Sequence, residues 1–430
     1  MTRKMILSFS LFFVFLFGCT RQQETDIWEF DDYSKQDLST NDISYGLSSP
    51  HYRIHVSYSG TAHQLGGNLA VRFHNNLKED LKEVYFNLWP NAEEFESGGI
   101  EIRQVMVDGK AADFTVKGTE LRLSGIVIQK EQEATIEMEF VVTIPEEKGR
   151  FGWSERQISL GNWFPVLAVR DAKGWNTPPY FSGGESFYSV TSSFDVTFDL
   201  PEEIQVIAPG ERTNEQKAAG RTSHRFQADN IRDFAAVFHT ELQMTERKVG
   251  KVLVRLHYLE GEEEKAERMM AAAEQSLETY DRLIGPYAWE ELDIVSVAFD
   301  PSFNGGMEYP QLVMINTPYR FDQEELEGTV MHEIAHQWFY AAVGNDPYQE
   351  PWLDESLATF VSLTTLYGTS DLEWEEAEEC DMPVTSSVAD FEREAPDCYE
   401  PTVYVAGAKM LGNMRAKLGE EVFQEGLETY

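Results

Sequence analysis

Residues 331–338 read MHEIAHQW and place two histidines four positions apart, with a glutamate directly after the first. Residues four apart lie one above the other on a helix, so His332 and His336 can present both imidazoles to one metal ion. Zinc prefers such nitrogen ligands, and Glu333 beside the first histidine can take a proton from a water molecule. We therefore predict a helix over 325–343 that carries a zinc site and a general base. The alternative interpretation is two surface histidines and an unrelated glutamate.

A catalytic zinc ion needs a third protein ligand, and the sequence offers one after an interval of 18 residues. Glu355 lies in WLDESLATF (352–360), which predicts the start of a second helix over 353–367. The segment GNDP (344–347) can turn this helix back against the first. Asp354 is a neighbouring carboxylate, but the spacing favours Glu355. Two histidines and one glutamate leave a fourth position for water, which is the arrangement of a catalytic site.

Upstream of these helices, from about residue 50 to 245, apolar residues recur at every second position. The clearest examples are ATIEMEFVVTI (134–144) and FDVTFDL (194–200). This alternation indicates strands with one buried face, separated by proline and glycine. We predict an antiparallel β-sandwich or saddle domain over 49–248.

After residue 250 the apolar period becomes helical. A helix predicted over 262–284 ends at Gly285-Pro286, as a glycine followed by proline should end it. Short strands over 292–298 and 312–315 precede the two helices described above, and the acidic stretch 371–400 is predicted to be a loop. This mixture predicts an α+β domain over 249–430.

The pattern HEIAHQW, an interval of 18 residues and the glutamate of WLDESLATF together resemble the gluzincin aminopeptidases of the aminopeptidase N and leukotriene hydrolase family. GGMEY (305–309) resembles the exopeptidase motif of that family. The resemblance implies a thermolysin-like catalytic domain with one Zn²⁺ per chain, held by His332, His336 and Glu355. It also implies that Glu308 binds the free α-amino group of a peptide, with Gly305, Gly306 and Met307 beside the substrate.

A third feature of the family is a tyrosine beyond the zinc helices. Residues 401–407, PTVYVAG, resemble its Tyr-x-Lys-Gly motif, which implies that Tyr404 donates its hydroxyl to the oxyanion of the tetrahedral intermediate. The chain departs from the family at Tyr309, where asparagine is usual, and at Ala406, where lysine is usual. Family members continue through a longer helical region, and we expect this chain to stop before it, within a helix over 420–430.

The resemblance implies zinc-dependent removal of N-terminal residues, with Glu333 as the base and Glu308 as the anchor of the ammonium group. The strand over 312–315 could bind the peptide backbone as an edge strand. Two alternatives stay open. One is a zinc endopeptidase, in which Glu308 does not restrict binding to free N-termini. The other is a catalytically weak, lipid-anchored binding or scaffold protein with a peptidase fold.

The first 19 residues, MTRKMILSFSLFFVFLFGC, predict a signal peptide. The segment starts with basic residues, as signal peptides do. The apolar run that follows (5–17) has 13 residues, which is too short to span a membrane comfortably. The run ends at Cys19 in a segment that resembles a bacterial lipobox, so we predict lipidation there and attachment to the outer face of a bacterial membrane. Residues 20–48 are predicted to be a flexible tether. The alternatives are ordinary secretion and an uncleaved anchor.

The remaining cysteines, Cys380 and Cys398, are 18 positions apart. Disulfides persist in secreted proteins, so we expect these two to pair, the alternative being two unpaired thiols. Neither has the spacing of a zinc ribbon.

The charge balance limits the classes of partner. The 430 residues carry 35 Lys and Arg against 74 Asp and Glu, a net charge of −39. So negative a surface repels phosphate backbones, which excludes nucleic acid as a partner. Hydrophobic residues make up 42% of the chain, which excludes wholesale disorder.

Overall fold

The computed structural model describes residues 47–48, 50–301, 303, 305–317, 323–368 and 380–430. The predicted signal peptide with Cys19, and all but two residues of the predicted tether, lie outside this part. Among the described residues, no helix is both long enough and apolar enough to cross a bilayer.

The first part of the fold is built from strands. They are β1 (His51–Ser59), β2 (Gln64–His74), β3 (Val84–Asn87), β4 (Gly99–Val107), β5 (Lys110–Ala111), β6 (Asp113–Lys117), β7 (Glu120–Ser124), β8 (Glu133–Thr143), β9 (Phe151–Ser154), β10 (Gln157–Leu160), β11 (Val166–Leu167), β12 (Arg170–Asp171), β13 (Gly174–Trp175), β14 (Ser192–Pro201), β15 (Gln205–Ile207), β16 (Glu211–Ala218), β17 (Arg221–Ile231) and β18 (Ala236–His239).

These strands form a large sheet and smaller ones packed around an apolar core. The eight-stranded sheet has the order β16-β17-β14-β1-β2-β8-β4-β5, and two four-stranded sheets have the orders β15-β18-β10-β9 and β11-β3-β7-β6. Pairing is antiparallel except between β1 and β14, which are parallel. Burial alternates along β8, as the period-two pattern predicts. The mainly antiparallel β fold predicted from the sequence is confirmed.

The second part is a sheet covered by helices. Its elements are β19 (Leu242–Val249), β20 (Val252–Leu259), α1 (Glu263–Leu283), β21 (Glu291–Val297), β22 (Gly306–Met307), β23 (Leu312–Asn316), α2 (Gln323–Ala335), α3 (Trp352–Tyr367), α4 (Val388–Glu394), α5 (Gly407–Leu418) and α6 (Glu420–Thr429). The sheet order is β19-β20-β21-β23-β22, with β20, β21 and β23 parallel. Apolar residues of α1, α2 and α3 form one core with this sheet.

Three local predictions were wrong. The helix predicted to reach residue 343 ends at Ala335, because the following amides bond to carbonyls only three residues back: Gln337 N to Ile334 O at 3.0 Å and Trp338 N to Ala335 O at 3.0 Å. β23 is not an edge strand, since β21 and β22 flank it. The stretch 371–400 is not entirely loop, because a Ser387–Asp390 capping box starts α4.

The two parts share a second apolar core. Ile207, Ala235 and Val237 of the first part pack with Val295, Met314 and other residues of the second sheet. The hairpin of β19 and β20 belongs to the second sheet, so residues on both sides of position 248 belong to it. The division into domains at that position stays a prediction.

Candidate active site

Two histidines and a glutamate meet where α2 ends and α3 begins. The Nε2 atoms of His332 and His336 lie 3.1 Å apart, and each lies 3.3 Å from Oε2 of Glu355. The loop between the helices returns α3 against α2, as the sequence predicts. His332, His336 and Glu355 are the group of described residues whose geometry could hold a metal ion.

The three ligand atoms fit a zinc ion. Bonds of 2.0–2.1 Å in tetrahedral geometry put ligand atoms about 3.3 Å apart, which matches the separations here. Glu355 Oε2 is buried and, apart from the two imidazole nitrogens 3.3 Å away, has no polar partner among the described residues, so a cation held by all three would satisfy it. Burial alone would raise the pKa of Glu355, but the adjacent imidazoles outweigh burial and lower it well below its usual value. The carboxylate is therefore ready to bind a metal ion.

Glu333 lies on α2 and lines one cavity together with the three metal ligands. Its position depends on a glycine in β22. The side chain is buried and accepts a hydrogen bond from the Gly306 N–H. A Cβ at Gly306 would lie 2.6 Å from Glu333 Cγ and 2.5 Å from Met314 O. Burial and the charge of Glu308 raise the pKa of Glu333 well above its usual value, which makes it a stronger proton acceptor.

Glu308 lies in a cavity of about 840 Å³ that also contains the metal ligands. The carboxyl group is buried, and burial raises its pKa despite the opposing charges of His336 and Arg150. Gly305, Gly306 and Met307 line the same cavity, as predicted for substrate-binding residues. Their roles in binding stay predictions.

The cavity also contains a buried ion pair that the sequence analysis missed. Arg150 Nη1 lies 2.7 Å from Oε1 of Glu185, and both residues come from the β part. Burial, together with the charge of Glu308, raises the pKa of Glu185 to about 7, although Arg150 opposes this. The only sequence signal was a carboxylate after Gly183-Gly184 in a loop, which is too common to single out a site.

Tyr404 forms another wall of the cavity. It lies in a π-helix over Pro401–Ala406, and its half-buried ring stacks on His332 with centroids 5.8 Å apart. Burial and the charge of Glu355 raise the pKa of Tyr404 well above its usual value, so the hydroxyl keeps its proton and can donate it in a hydrogen bond.

Tyr309, the departure from the family motif, points away from this chemistry. Its hydroxyl donates to Asn162 Oδ1 at 3.3 Å, and its ring packs in the core shared by the two parts. The ring occupies the space that a Cβ at Gly161 would need. Tyr309 therefore joins the two parts of the fold and does not line the cavity.

Cys380 and Cys398 form a disulfide, with Cα atoms 5.7 Å apart. The bridge lies next to the cavity, because Pro396, Asp397 and Tyr399 line its wall. Tyr399, Phe391 and Val403 pack in a small apolar cluster under this segment.

Comparison with known proteins agrees with this geometry. Residues 268–430 match the peptidase family M1 domain. The chain is similar to Aminopeptidase RNPEPL1 of Mus musculus, with 40% identity over 107 residues, 24% of this chain and 15% of that protein. It is also similar to Probable aminopeptidase 1 of Saccharolobus solfataricus, with 25% identity over 406 residues, 83% of this chain and 47% of that protein. The chain thus spans about half or less of the length of these relatives.

The fold resembles a solved structure over most of its length. The crystal structure of the M1 zinc metallopeptidase from Deinococcus radiodurans superposes with a TM-score of 0.62 and 18% identity, covering 90% of this chain and 86% of that one. The fold order predicted from the sequence, a mainly β part followed by a part that combines a sheet with helices, is therefore confirmed.

Proposed function

We propose that this protein is a zinc-dependent aminopeptidase, because residues 268–430 match the peptidase family M1 domain and include two histidines and a glutamate that could hold a metal ion. Its substrates are peptides with a free N-terminus, from which it removes one residue at a time.

The observation that carries this proposal is a second set of buried carboxylates in the cavity of the metal ligands. Glu308 and Glu185 are both buried there, and Arg150 offsets only part of their negative charge. A buried carboxylate without a full counter-charge is costly, and an ammonium group would supply that charge. If these carboxylates hold the N-terminal ammonium of a peptide, its first peptide bond is the one that lies at the metal ligands. The peptide would therefore lose one residue at a time.

Each residue of the site has one task in the reaction. Zinc, when bound by His332, His336 and Glu355, supplies polarisation of the scissile carbonyl and acidifies a water molecule. Glu333 takes a proton from the attacking water and gives it to the leaving amine as the carbon–nitrogen bond breaks. The Tyr404 hydroxyl donates a hydrogen bond to the oxygen that becomes negatively charged. Glu308, assisted by Glu185, holds the ammonium.

The test compares a leucine anilide reporter that has a free amine with its N-acetylated twin. We expect turnover of the free amine only, because the acetylated nitrogen carries no charge for Glu308. Glu333→Gln should abolish turnover while retaining zinc, since the glutamine cannot accept the proton. Glu308→Gln should reduce kcat/KM for the free amine by about 10-fold to 100-fold, the range of a lost charged hydrogen bond.

The outcomes separate the candidate functions. Equal turnover of both reporters would replace the aminopeptidase with a zinc endopeptidase. Zinc binding without turnover of either reporter would favour a binding or scaffold protein.

We also propose that the chain is a lipoprotein, attached through Cys19 to the extracytoplasmic face of a bacterial membrane. The support is the basic start, the 13-residue apolar run and the cysteine that follows it. The disulfide of Cys380 and Cys398 supports an oxidising compartment. Mass spectrometry of the mature N-terminus tests the anchor: a diacylated Cys19 is expected, and an unmodified N-terminus would overturn it.

A further inference from the structure

Gln337 is a buried amide that joins the metal-binding turn to the loop that carries Glu308. Its side chain is only 1% exposed. Oε1 accepts a hydrogen bond from the backbone N–H of Gln311 at 2.8 Å. Nε2 donates to the backbone carbonyls of Glu308 at 3.3 Å and Tyr309 at 3.2 Å. One side chain therefore binds three backbone groups of the four-residue segment 308–311.

That segment depends on side-chain support. It connects β22 to β23, and β22 is only two residues long. Gln311 adopts a left-handed backbone conformation with φ of 62°, which is uncommon for a residue other than glycine. Because the segment is buried, loss of the Gln337 amide would leave backbone groups unpaired away from water. The segment would then move to recover these hydrogen bonds.

Gln337 is itself held close to the metal site. It directly follows His336, whose Nδ1–H donates to Phe339 O at 3.0 Å. Its own backbone N–H donates to Ile334 O at 3.0 Å. The metal ligand and the amide side chain thus belong to one short, hydrogen-bonded turn. The position of Glu308 relative to the metal ligands therefore depends on Gln337.

We propose that Gln337 is a positioning residue that fixes the distance between Glu308 and the metal site, and so determines affinity for the N-terminal ammonium of the substrate. This inference rests on the proposed function, because it takes the ammonium as the ligand of Glu308. It adds a residue that touches neither the substrate nor the metal.

The effect should fall on KM. The ammonium keeps its charge throughout the reaction and forms and breaks no bond, so Glu308 binds it equally well in the ground state and the transition state. Loss of such uniform binding raises KM and leaves kcat nearly unchanged. Complete loss of a charged hydrogen bond costs about 10-fold to 100-fold in binding, and its displacement should cost no more. For Gln337→Met, which keeps the side-chain volume, we expect KM for leucine anilide to rise about 10-fold and kcat to change less than about threefold.

The experiment uses the full chain with zinc and has two readouts. The first is steady-state kinetics of wild type and Gln337→Met. The second is calorimetric affinity for L-leucinamide, measured in Glu333→Gln and in the double variant with Gln337→Met, which needs no turnover. The affinity of the double variant should be about 10-fold weaker. Zinc content should be the same in all four proteins.

Asn75→Leu is the matched control. The Asn75 side chain donates to the carbonyls of Glu79, Ile128 and Gln129 in the β part, at 3.1–3.2 Å, so its loss removes a similar buried clamp. We expect a lower melting temperature and an unchanged KM. Should Gln337→Met fail to fold, Gln337→Glu keeps the acceptor for Gln311 N–H but loses the donor, and it should raise KM in the same direction.

The outcomes distinguish this inference from the proposed function. If wild type is active and the Gln337 variants keep the wild-type KM and leucinamide affinity, this inference is overturned and the proposed function is not. An equal rise in KM for Asn75→Leu also overturns it, because the effect would then be general loosening. Zinc-loaded wild type without turnover overturns the proposed function and, with it, this inference.

Discussion

A backbone carbonyl holds His336 in the orientation that metal binding needs. The carbonyl of Phe339 can only accept a hydrogen bond, so Nδ1 of His336 carries a ring proton and Nε2 is the nitrogen left to bind a metal ion. Nε2 then faces His332 and Glu355. This carbonyl is in reach because the helix ends at Ala335 and the chain turns back. The sequence analysis placed the end of this helix at residue 343. Its end at Ala335 is what brings the Phe339 carbonyl to the metal ligand.

The proposed role of the Tyr404 hydroxyl can be tested with a single substitution. We expect Tyr404→Phe to lower kcat by about 10²–10³, the usual cost of one oxyanion donor, with little change in KM. Zinc content should stay the same, because the ring still stacks on His332. Steady-state kinetics and metal analysis provide the two measurements.

Tyr348→Phe is the control for this variant. Tyr348 belongs to the apolar cluster of Tyr399 and Val403 but does not line the cavity. Its kcat should match that of wild type. A Tyr404→Phe enzyme with wild-type kcat would remove Tyr404 from the mechanism.

At the scale of elements, the two-residue strand β22 is the edge of the second sheet. It pairs with Met314 and Ile315, so the edge position predicted for β23 belongs to β22. The absence of a side chain at Gly306 leaves room for Glu333. The motif glycine thus makes room for Glu333, the proposed general base, a role that the sequence analysis did not assign to it.

Gly306→Ala should therefore impair catalysis through Glu333. The new Cβ would overlap Glu333 Cγ and the Met314 carbonyl, and a carboxylate displaced by about 1 Å can cost about 100-fold in kcat. Gly66→Ala in β2, where the Cβ would lie 3.8 Å from Val141 Cγ2, is the control and should leave kcat unchanged. Wild-type kcat in Gly306→Ala would show that the base tolerates the shift.

Elements whose signals are local could be predicted from the sequence. The α1 helix and β14 match the predicted ranges closely, because apolar period, glycine and proline act over a few residues. His332 and His336 were predicted because a spacing of four follows helix geometry, and Glu355 because it opens the next predicted helix after an interval of 18 residues. The neighbours of β23 depend on how distant segments pair, and the pairing of Arg150 with Glu185 depends on tertiary packing. Neither leaves a periodic trace in the sequence.

At the scale of the whole molecule, the site is assembled from both parts of the fold. Glu185 and Arg150 enter the cavity from the β part. Arg232 at the end of β17 donates to Tyr340 O and Asn345 O, in the loop that joins the two metal-binding helices. Because of these buried contacts, the width of the cavity depends on how the β part packs against the second part.

Asp233, next to Arg232, should make stability depend on pH. Burial, partly offset by a hydrogen bond from Phe234 N–H, raises the pKa of Asp233 to about 7. In the unfolded chain that pKa is about 3.9, so between these values the folded state binds more protons. The unfolding free energy should therefore fall as pH rises from about 4 to about 7, by about 1.4 kcal/mol per unit for this group.

The Asp233→Asn variant isolates this contribution. Asparagine does not titrate, so the unfolding free energy of wild type minus that of the variant should be largest at about pH 4 and should fall towards pH 7. Denaturant unfolding at several pH values measures it. A difference that stays constant with pH would mean that Asp233 is ionised throughout.

The disulfide also determines what a single proteolytic cut would do to this molecule. It joins residues 380 and 398 around a stretch that forms part of the cavity wall. A single cut within that stretch would leave both new ends covalently attached, so the wall that carries Tyr404 would keep its anchor. A nicked molecule would run as one band on a non-reducing gel and as two bands after reduction.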